Sequence, residues 1–394
     1  MRSREISASE AAPKMSVPLD NKAKGVKQRE VRFSDFEAVA KLKCESGLSS
    51  DSLANWYRFW RDNAALSFAK GPLPMGWVLA VDDKVVGYLG SIPLLYHYGS
   101  RPLLAATASG FAVQPDYRAF SVGLVASFYR QENIDLFLNT TAIESVGKLA
   151  KAFKADALPQ EDYDTVLFWV LDIRQFLDAV AKKFGVTGNW ATVGRIVASI
   201  ALQTEKTVWR RLPGRSSDKF QVTECHVSEI GDNFEKIWRR KLEGKPRLFA
   251  DRDQSHLRWH FTIPDTQQVT RAFFCQGENG FTGYAIVRIE SEPETGLRRC
   301  WLADILVDDD NPEVISALIT RACNVAEESD CHVFEVLGFP KNLRQVLLQW
   351  RPYTRRYPAC PFYFKAKDHE LHRVLQETES WYASPFDGDT TLMP

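Results

Sequence analysis

The spacing of apolar and polar residues predicts two passes of similar order along the chain, the first beginning at residue 31. Two segments with apolar residues at helical spacing precede three that are rich in β-branched and aromatic residues. They are predicted helices at 33–43 and 51–63 and predicted strands at 77–81, 84–98 and 103–113. The pair Asp82-Asp83 is typical of a hairpin turn. The first pass therefore opens with two helices and an antiparallel meander.

Helices and strands alternate in the rest of the first pass. Helical spacing recurs at 121–132 and 142–155, and apolar strands are predicted at 135–139 and 165–171. A meander that runs into alternating strands and helices predicts one mixed α/β sheet. An amphipathic helix at 172–184 then leaves this sheet.

A second pass of the same order follows the basic, turn-rich segment RRLPGRSSDK. Its predicted elements are helices at 232–242, 253–260, 312–328 and 341–349, and strands at 269–276, 281–290, 299–307, 332–337 and 362–366. The fold class is therefore α/β, with two tandem domains of mixed antiparallel and parallel sheet flanked by helices. The predicted regions are a disordered tail at 1–30, an N-terminal domain at 31–171, a helical linker at 172–218 with a helix at 189–203, and a C-terminal domain at 219–394.

Composition and charge narrow the classes of partner. The 394 residues are 45% hydrophobic and 25% charged, which is typical of a folded globular protein. Lys plus Arg and Asp plus Glu number 50 each, so no net field attracts nucleic acid, and a nucleic-acid partner is not expected. No apolar run approaches the roughly 20 residues that a membrane span needs. Seven cysteines without a CxxC pair indicate a reducing compartment, and a cytoplasmic location is expected.

A metal site is not expected. His256 and His260 have helical spacing, but no Glu follows His256 as it does in zinc-binding helices of the HExxH type.

The segment GFAVQPDYRAFSVGLVASF at residues 110–128 has the strongest chemical signal. An apolar strand ends there and a helix begins near Ser121. A helix start offers unpaired N–H groups and the positive end of the helix dipole, so a short loop of small residues can bind phosphate. Ser121 and Gly123 are the small residues, and Arg118 adds a positive charge.

This segment resembles the acyl-CoA loop of the GNAT acetyltransferase superfamily, an apolar strand with Val-x-Pro-x-x-Arg and then a glycine-containing turn that opens a helix. Val113, Pro115 and Arg118 match, Gly123 matches the second glycine, and Ser121 stands at the first. The strand DLFLN that follows, with Ala142 and the turn Lys151-Ala152-Phe153-Lys154, is similar to a second family feature. The resemblance covers about residues 31–171.

The resemblance implies which residues bind acetyl-CoA or another acyl-CoA. Phe111, Ala112 and Val113 would hydrogen-bond the pantetheine arm through their main chain. The pyrophosphate would lie against Arg118, Ala119, Phe120, Ser121, Val122, Gly123 and Leu124. Asn139 would lie near the thioester, and Ser109, with Thr107, lies where the family often has a general base.

Three departures from the family pattern keep an alternative open. Ser121 replaces glycine, the strand at 103–113 has no carboxylate, and Ser145-Val146-Gly147 stand where many members have the tyrosine that protonates the departing thiolate. A water relay can replace a protein base, so acyl transfer is still expected. A non-catalytic binding or scaffold protein with this fold is the alternative.

The second half resembles the family in topology only. Its corresponding turn at 307–313 has four carboxylates, which suit a helix N-terminus but repel pyrophosphate, so no second cofactor is expected. Asp304 in the strand WLADILV is the leading substitute for the missing base, although a hydrogen-bonded core Asp is its simpler interpretation. Arg252 and Asp253 of RDQSHLRWHF, a segment similar to one in tandem GNAT-like proteins, are expected to line an acceptor cleft.

The predicted function is acyl-CoA-dependent N-acyl transfer, as in an N-acetyltransferase, to a small-molecule amine such as an amino sugar or other metabolite. The first half would bind the acyl donor and the second half would shape the acceptor site. The scaffold protein and a tRNA-dependent aminoacyl transferase are the alternatives, and the zero net charge disfavours the latter.

Overall fold

The computed structural model describes residues 25–142, 144–185, 219–278, 280–357 and 362–393. The strands are β1 Lys27–Glu30, β2 Gly76–Val81, β3 Lys84–Tyr98, β4 Arg101–Val113, β5 Leu136–Asn139, β6 Asp156–Ala157, β7 Thr165–Val170, β8 Gln221–Cys225, β9 Leu248–Ala250, β10 Val269–Gly277, β11 Gly280–Ser291, β12 Arg298–Val307, β13 Val333–Val336, β14 Tyr353–Arg356 and β15 Tyr363–Ala366.

The described helices flank these strands. They are α1 Phe36–Glu45, α2 Leu53–Trp60, α3 Ser121–Tyr129, α4 Glu144–Ala152, α5 Ile173–Lys183, α6 Asp232–Glu243, α7 Gln254–Phe261, α8 Pro312–Glu328, α9 Lys341–Leu348 and α10 His369–Val374. Short 3-10 turns at Pro115–Phe120 and Asp308–Asp310 precede α3 and α8. None of these helices is long and apolar enough to cross a membrane.

The strands form two mixed sheets, which confirms the predicted α/β class. The first sheet has the order β1-β2-β3-β4-β5-β15-β6, with β9 on β3, and the second has the order β14-β7-β13-β12-β11-β10-β8. In each sheet an antiparallel meander meets one parallel pair, β4 with β5 and β12 with β13.

The two sheets exchange a strand, which the sequence did not reveal. Strand β7, expected beside the strands of the first half, pairs antiparallel with β13 and β14 in the second sheet. Strand β15 from the C-terminal half lies between β5 and β6 in the first sheet. The apolar pattern of a strand predicts which of its faces are buried but not which strands it pairs with. The pattern therefore could not predict to which sheet β7 and β15 belong.

The N-terminal boundary also differs from the expectation. Residues 27–30, placed in the disordered tail, form β1 and pair antiparallel with β2, from Lys27 opposite Ala80 to Glu30 opposite Trp77. The rest of the expected tail to residue 24, the predicted helix at 189–203 and nearly all of RRLPGRSSDK lie outside the described residues.

Helices α3 and α8 cover the outer faces of the two sheets, and the inner faces share one interior with α1, α2, α6 and α7. Helix α3 packs Leu124, Val125 and Phe128 on the first sheet, and α8 covers the second. A further hydrophobic cluster joins residues of both sheets, including Ala105 and Ala303, to the C-terminal segment at 381–393. The interior between the sheets is therefore continuous.

Both sheets open at the parallel pair. Strands β4 and β5 pair only from Ala105 opposite Leu136 to Thr107 opposite Leu138, yet β4 continues to Val113. We call this opening the β4–β5 gap. Strands β12 and β13 separate in the same way after Trp301.

Candidate active site

The first junction, residues 114–121, connects β4 to α3 at the edge of the β4–β5 gap. No side chain caps the 3-10 turn or α3, and the first turn of α3 has no acidic residue. Arg118 and Ala119 are exposed, Phe120 and Ser121 are half-buried, and Val122 is 48% exposed. The junction therefore presents a helix N-terminus and one cation to solvent.

Gly123 has a packing role that the sequence did not reveal. A Cβ atom there would lie 2.5 Å from Oε1 of Gln28 in β1. The Gln28 amide also donates to the Ser127 hydroxyl at 2.6 Å. The second small residue of the predicted loop thus accommodates β1, and Leu124 is buried beneath it.

A β-bulge bends β4 where it leaves β5. The pairing of β3 with β4 shifts so that Leu89 alone lies opposite Gly110 and Phe111. Gly110 has φ +63°, a left-handed conformation that glycine adopts at little cost. Beyond the bulge, β4 has no strand on its β5 side among the described residues. The main chain of Phe111, Ala112 and Val113 therefore faces the gap on that side.

The side chains of Asn139 and Ser109 lie on opposite faces of the first sheet. Leu136 and Leu138 join the cluster between the sheets, so Asn139 lies on the opposite, helix-covered face. Ser109 has the parity of Ala105 and Thr107 and lies on the inter-sheet face, 6% exposed. The two predicted catalytic residues thus flank one gap from opposite sides.

Tyr363 lies on the same side as Asn139, directly opposite it in β15. Its hydroxyl approaches α4 so closely that a Cβ on Gly147 would lie 2.6 Å away. Gly147 belongs to the triplet that replaces the expected family tyrosine. A tyrosine from another strand therefore lies beside that position, which sequence spacing within the first half could not reveal.

Asp389 lies against Thr140 and Thr141, which follow β5, and sequence reasoning missed it. The Thr140 hydroxyl donates to its Oδ1 at 2.6 Å and the Thr141 hydroxyl at 3.2 Å. Burial raises the pKa of this carboxyl, although the two hydroxyl donors and the Lys43 charge oppose the rise. Asp389 has no direct cationic partner among the described residues, unlike most buried carboxylates.

Lys43 connects the bulge to this carboxylate. Its ammonium group pairs with Asp51 at 2.7 Å, and both side chains are nearly buried. A Cβ on Gly110 would lie 3.3 Å from Cε of Lys43. The Thr107 hydroxyl, on the same face, is fully buried without a hydrogen-bond partner in the described ranges. Polar groups therefore line the inter-sheet side of the gap.

Asp304 and Arg252, predicted for the acceptor site, form a salt bridge in the core. Nε and Nη2 of Arg252 each donate to one oxygen of Asp304 at 3.0 Å, and neither side chain is exposed. Tyr284 and Ser384 complete the carboxylate's hydrogen bonds. The guanidinium compensates a strand-interior charge, which is the simpler interpretation of Asp304. We do not carry this pair into the proposed site.

Asp253, the other predicted acceptor residue, caps α7. Its Oδ1 accepts from the His256 N–H at 2.7 Å, and this geometry lowers the pKa of Asp253 despite partial burial. Asp251, Asp253 and His256 bring potential metal ligands within 4.8 Å of one another. Asp251 is already an acceptor for the Asp253 N–H and for His97, so hydrogen bonds within the chain account for the group. His260 lies 2.6 Å from the Thr391 hydroxyl.

The second junction, residues 307–312, borders a cavity of about 320 Å³, and its acidic residues form ion pairs with cations of the protein. Arg240 pairs with Asp308, and Lys241 and Arg247 pair with Asp310. Burial raises the pKa of Asp310, but the two cations outweigh it and the net shift is downward. The acidic residues of the second junction are therefore already paired with cations of the protein.

Comparisons with solved structures identify the fold. The chain is similar to a GCN5-related N-acetyltransferase from Anabaena variabilis (10% identity, 87% of this chain and 73% of that one, TM-score 0.54) and to one from Kribbella flavida (10%, 88% and 72%, 0.51). It is also similar to Saccharomyces cerevisiae N-myristoyltransferase with bound myristoyl-CoA and inhibitors (14%, 91% and 82%, 0.52). No family model and no curated protein sequence matches. The chain has the fold of the GNAT superfamily, as the resemblance implied.

Proposed function

We propose that this protein is an N-acyltransferase that uses an acyl-CoA donor bound at the β4–β5 gap and the first junction. The observation that carries the proposal is the bulged, unpaired edge of β4 leading into an uncapped helix. Myristoyl-CoA is bound in a structure of the yeast enzyme that shares this fold. Phe111, Ala112 and Val113 hold the pantetheine arm by main-chain hydrogen bonds, and residues 118–124 hold the pyrophosphate.

The two faces of the gap have separate roles in this proposal. The donor enters on the helix-covered face, where Asn139 and Tyr363 lie beside the thioester. The amine approaches from the inter-sheet face, where Asp389, Thr107 and Ser109 lie. Donor and acceptor then meet in the opening between β4 and β5, and much of the acceleration comes from this alignment.

The chemistry is direct attack of the amine nitrogen on the thioester carbonyl. The C–N bond forms, the C–S bond breaks, and the amine proton passes to Asp389, whose raised pKa suits a general base. Main-chain N–H groups on the open edge of β4 stabilise the developing oxyanion. The Tyr363 hydroxyl protonates the departing thiolate. The acceptor is a small-molecule amine; acetyl-CoA and longer acyl-CoA donors both remain candidates.

Titration of the full chain with acetyl-CoA and with a long-chain acyl-CoA tests donor binding by calorimetry. We expect one site per chain, because the second junction is already occupied by ion pairs. Two sites, or none with either donor, would contradict the assignment of the site.

Two variants test the proton transfers. Asp389→Asn and Tyr363→Phe should each lower single-turnover transfer to an amine by about 10²–10⁴-fold, the usual range for a general acid or base. Donor affinity should stay within about twofold, roughly 0.4 kcal/mol. Normal turnover in a folded Asp389→Asn protein would remove the carboxylate from the mechanism.

A further inference from the structure

Two fully buried arginines of the second half have different surroundings. Arg252 uses the edge formed by Nε and Nη2 to hold both oxygens of Asp304. The same two nitrogens of Arg288 are buried with no hydrogen-bond partner among the described residues. Within the described ranges Nη1 of Arg288 makes its one hydrogen bond, at 3.3 Å to the main-chain oxygen of Met393, and the guanidinium lies 5.5 Å from the ring centroid of Phe261. An edge that fits a carboxylate is therefore vacant.

Arg288 lines a cavity of about 210 Å³ against the second sheet. Arg288 has the parity of Ile286, which belongs to the cluster between the sheets, so the cavity lies on the inter-sheet face. Nε of Arg299 and Nε1 of Trp301, which also line it, are buried and lie beyond ordinary hydrogen-bond distance of any acceptor in the described ranges, the Arg299 Nε being 3.8 Å from Glu290. The cavity thus offers several donors and few acceptors.

The two carboxylates in this cavity are engaged by other residues. Glu335 pairs with Arg355 at 3.0 Å and lies 3.8 Å from Arg299. Glu290 accepts from Gln268 at 3.0 Å and also lies 3.8 Å from Arg299.

Arg288 is the cation of this cavity that no acidic side chain pairs with directly in the described ranges. Burial lowers the pKa of Arg288 to about 10, so it is still a cation at neutral pH. Burial raises the pKa of Glu290, so the surroundings disfavour the negative charge that would neutralise the nearby arginines. Arg299 and Arg355 have Glu290, Glu292 and Glu335 as partners. Arg288 has no direct acidic partner among the described residues and is the most buried of the three arginines.

We propose that this cavity binds a carboxylate of the acyl acceptor, held by the Nε and Nη2 edge of Arg288. The planar edge fits two carboxylate oxygens, as Arg252 and Asp304 show within the same fold. A dianionic phosphate fits less well because Glu290 and Glu335 line the same small cavity.

A second cavity lies beside this one. It has a volume of about 470 Å³ and is lined by Tyr363, Glu144 and Tyr163 among others. Tyr357 lines both cavities. The second cavity contains Tyr363 and lies on the donor side, whereas Thr390, which lines the first cavity, is next to Asp389 in sequence. An acceptor with a carboxylate at one end and an amine at the other would therefore extend from Arg288 past Thr390 toward the inter-sheet face of the gap. This substrate class rests on the proposed function.

The test separates carboxylate binding from transfer. Acetate, inorganic phosphate and chloride, each at the same ionic strength and without acyl-CoA, are titrated while tryptophan fluorescence is followed, because Trp301 lines the cavity. Arg288→Met should weaken acetate binding at least tenfold and leave the melting temperature unchanged or higher, since it removes an unpaired buried charge. Arg252→Met should lower the melting temperature, because Asp304 then lacks its partner. Arg271→Met, at an exposed arginine of β10, is the control and should bind acetate normally.

Transfer assays with glycine, β-alanine, 4-aminobutyrate and 6-aminohexanoate, beside alkylamines of equal length, then test the substrate class. One or more amino acids should have at least a tenfold lower KM than the matched alkylamine, and Arg288→Met should remove that difference. Acetate binding through Arg288 without transfer of any amine would count against the acyltransferase and leave the anion site standing. Tighter phosphate than acetate binding, or unchanged acetate binding in Arg288→Met, would overturn the carboxylate site even if transfer occurs.

Discussion

The two strand-to-helix junctions occupy the same place in their sheets and have opposite electrostatics. The first leads through a 3-10 turn, which contains the exposed Asp116 and Arg118, into α3, whose own first turn has no acidic residue. The second leads through Asp308–Asp310 into α8, and Arg240, Lys241 and Arg247 already neutralise it. A helix start alone does not define a ligand site. Here the difference lies in the acidic residues of the second junction, which already pair with cations of the chain.

Making the first junction resemble the second should have the largest effect. Helix α8 has Glu313 in its first turn, whereas α3 has the exposed Val122. Val122→Glu should weaken acyl-CoA binding at least a hundredfold, about 2.8 kcal/mol, because a carboxylate would compete for the pyrophosphate position. The helix dipole favours a glutamate there, so the variant should fold.

Calorimetry with acetyl-CoA measures this loss, and Glu313→Gln is the matched control, with no change expected. This test is cleaner than Gly123→Glu, whose side chain would displace Gln28 of β1. Unchanged affinity in a folded Val122→Glu protein would place the donor elsewhere.

Breaking the ion pairs of the second junction should affect stability and leave donor binding intact. Asp310→Asn should lower the free energy of unfolding by about 1–2 kcal/mol at pH 7, because Lys241 and Arg247 lose their partly buried partner. The pKa of Asp310 is lowered in the folded state, so its stabilisation is complete above the ordinary carboxyl pKa of about 4. It is lost as the pH falls through the lowered value.

Urea unfolding of both proteins between pH 7 and pH 3 checks this expectation. The difference between them should narrow at the acid end. A difference that is constant over the whole range would mean that the charge of Asp310 is not what stabilises the turn.

Neutralising the single cation of the first junction should have the smallest effect. Arg118→Gln should weaken acyl-CoA binding by roughly three- to fivefold, below 1 kcal/mol, because an exposed charge is screened by solvent and salt. The loss should shrink as the salt concentration rises. An effect as large as that of Val122→Glu would mean that Arg118 contacts phosphate in a buried arrangement.

The sequence predicted the tandem α/β organisation and the position of both junctions, because these depend on periodicity and on residues close together in the chain. It did not predict Asp389 or Tyr363 as neighbours of the β4–β5 gap. Both come from the C-terminal half and reach the first sheet only through tertiary structure. Asp304 shows the reverse: its unusual place in an apolar strand was recognised, but the arginine that neutralises it lies 52 positions away in sequence.

The exchange of β7 and β15 has a consequence for biosynthesis. A ribosome that has released residues 31–171 has produced most strands of the first sheet, but β15, which separates β5 from β6, is still almost two hundred residues away. The emerging chain therefore carries an incomplete first sheet until β15 has been synthesised, and β7 lacks its partners β13 and β14 until they have been synthesised. If the chain is cut between the halves, the N-terminal fragment lacks β15 of its sheet and the C-terminal fragment lacks β7 of its sheet. The chain contains two sheets of similar topology, but neither sheet can be completed without a strand from the other half.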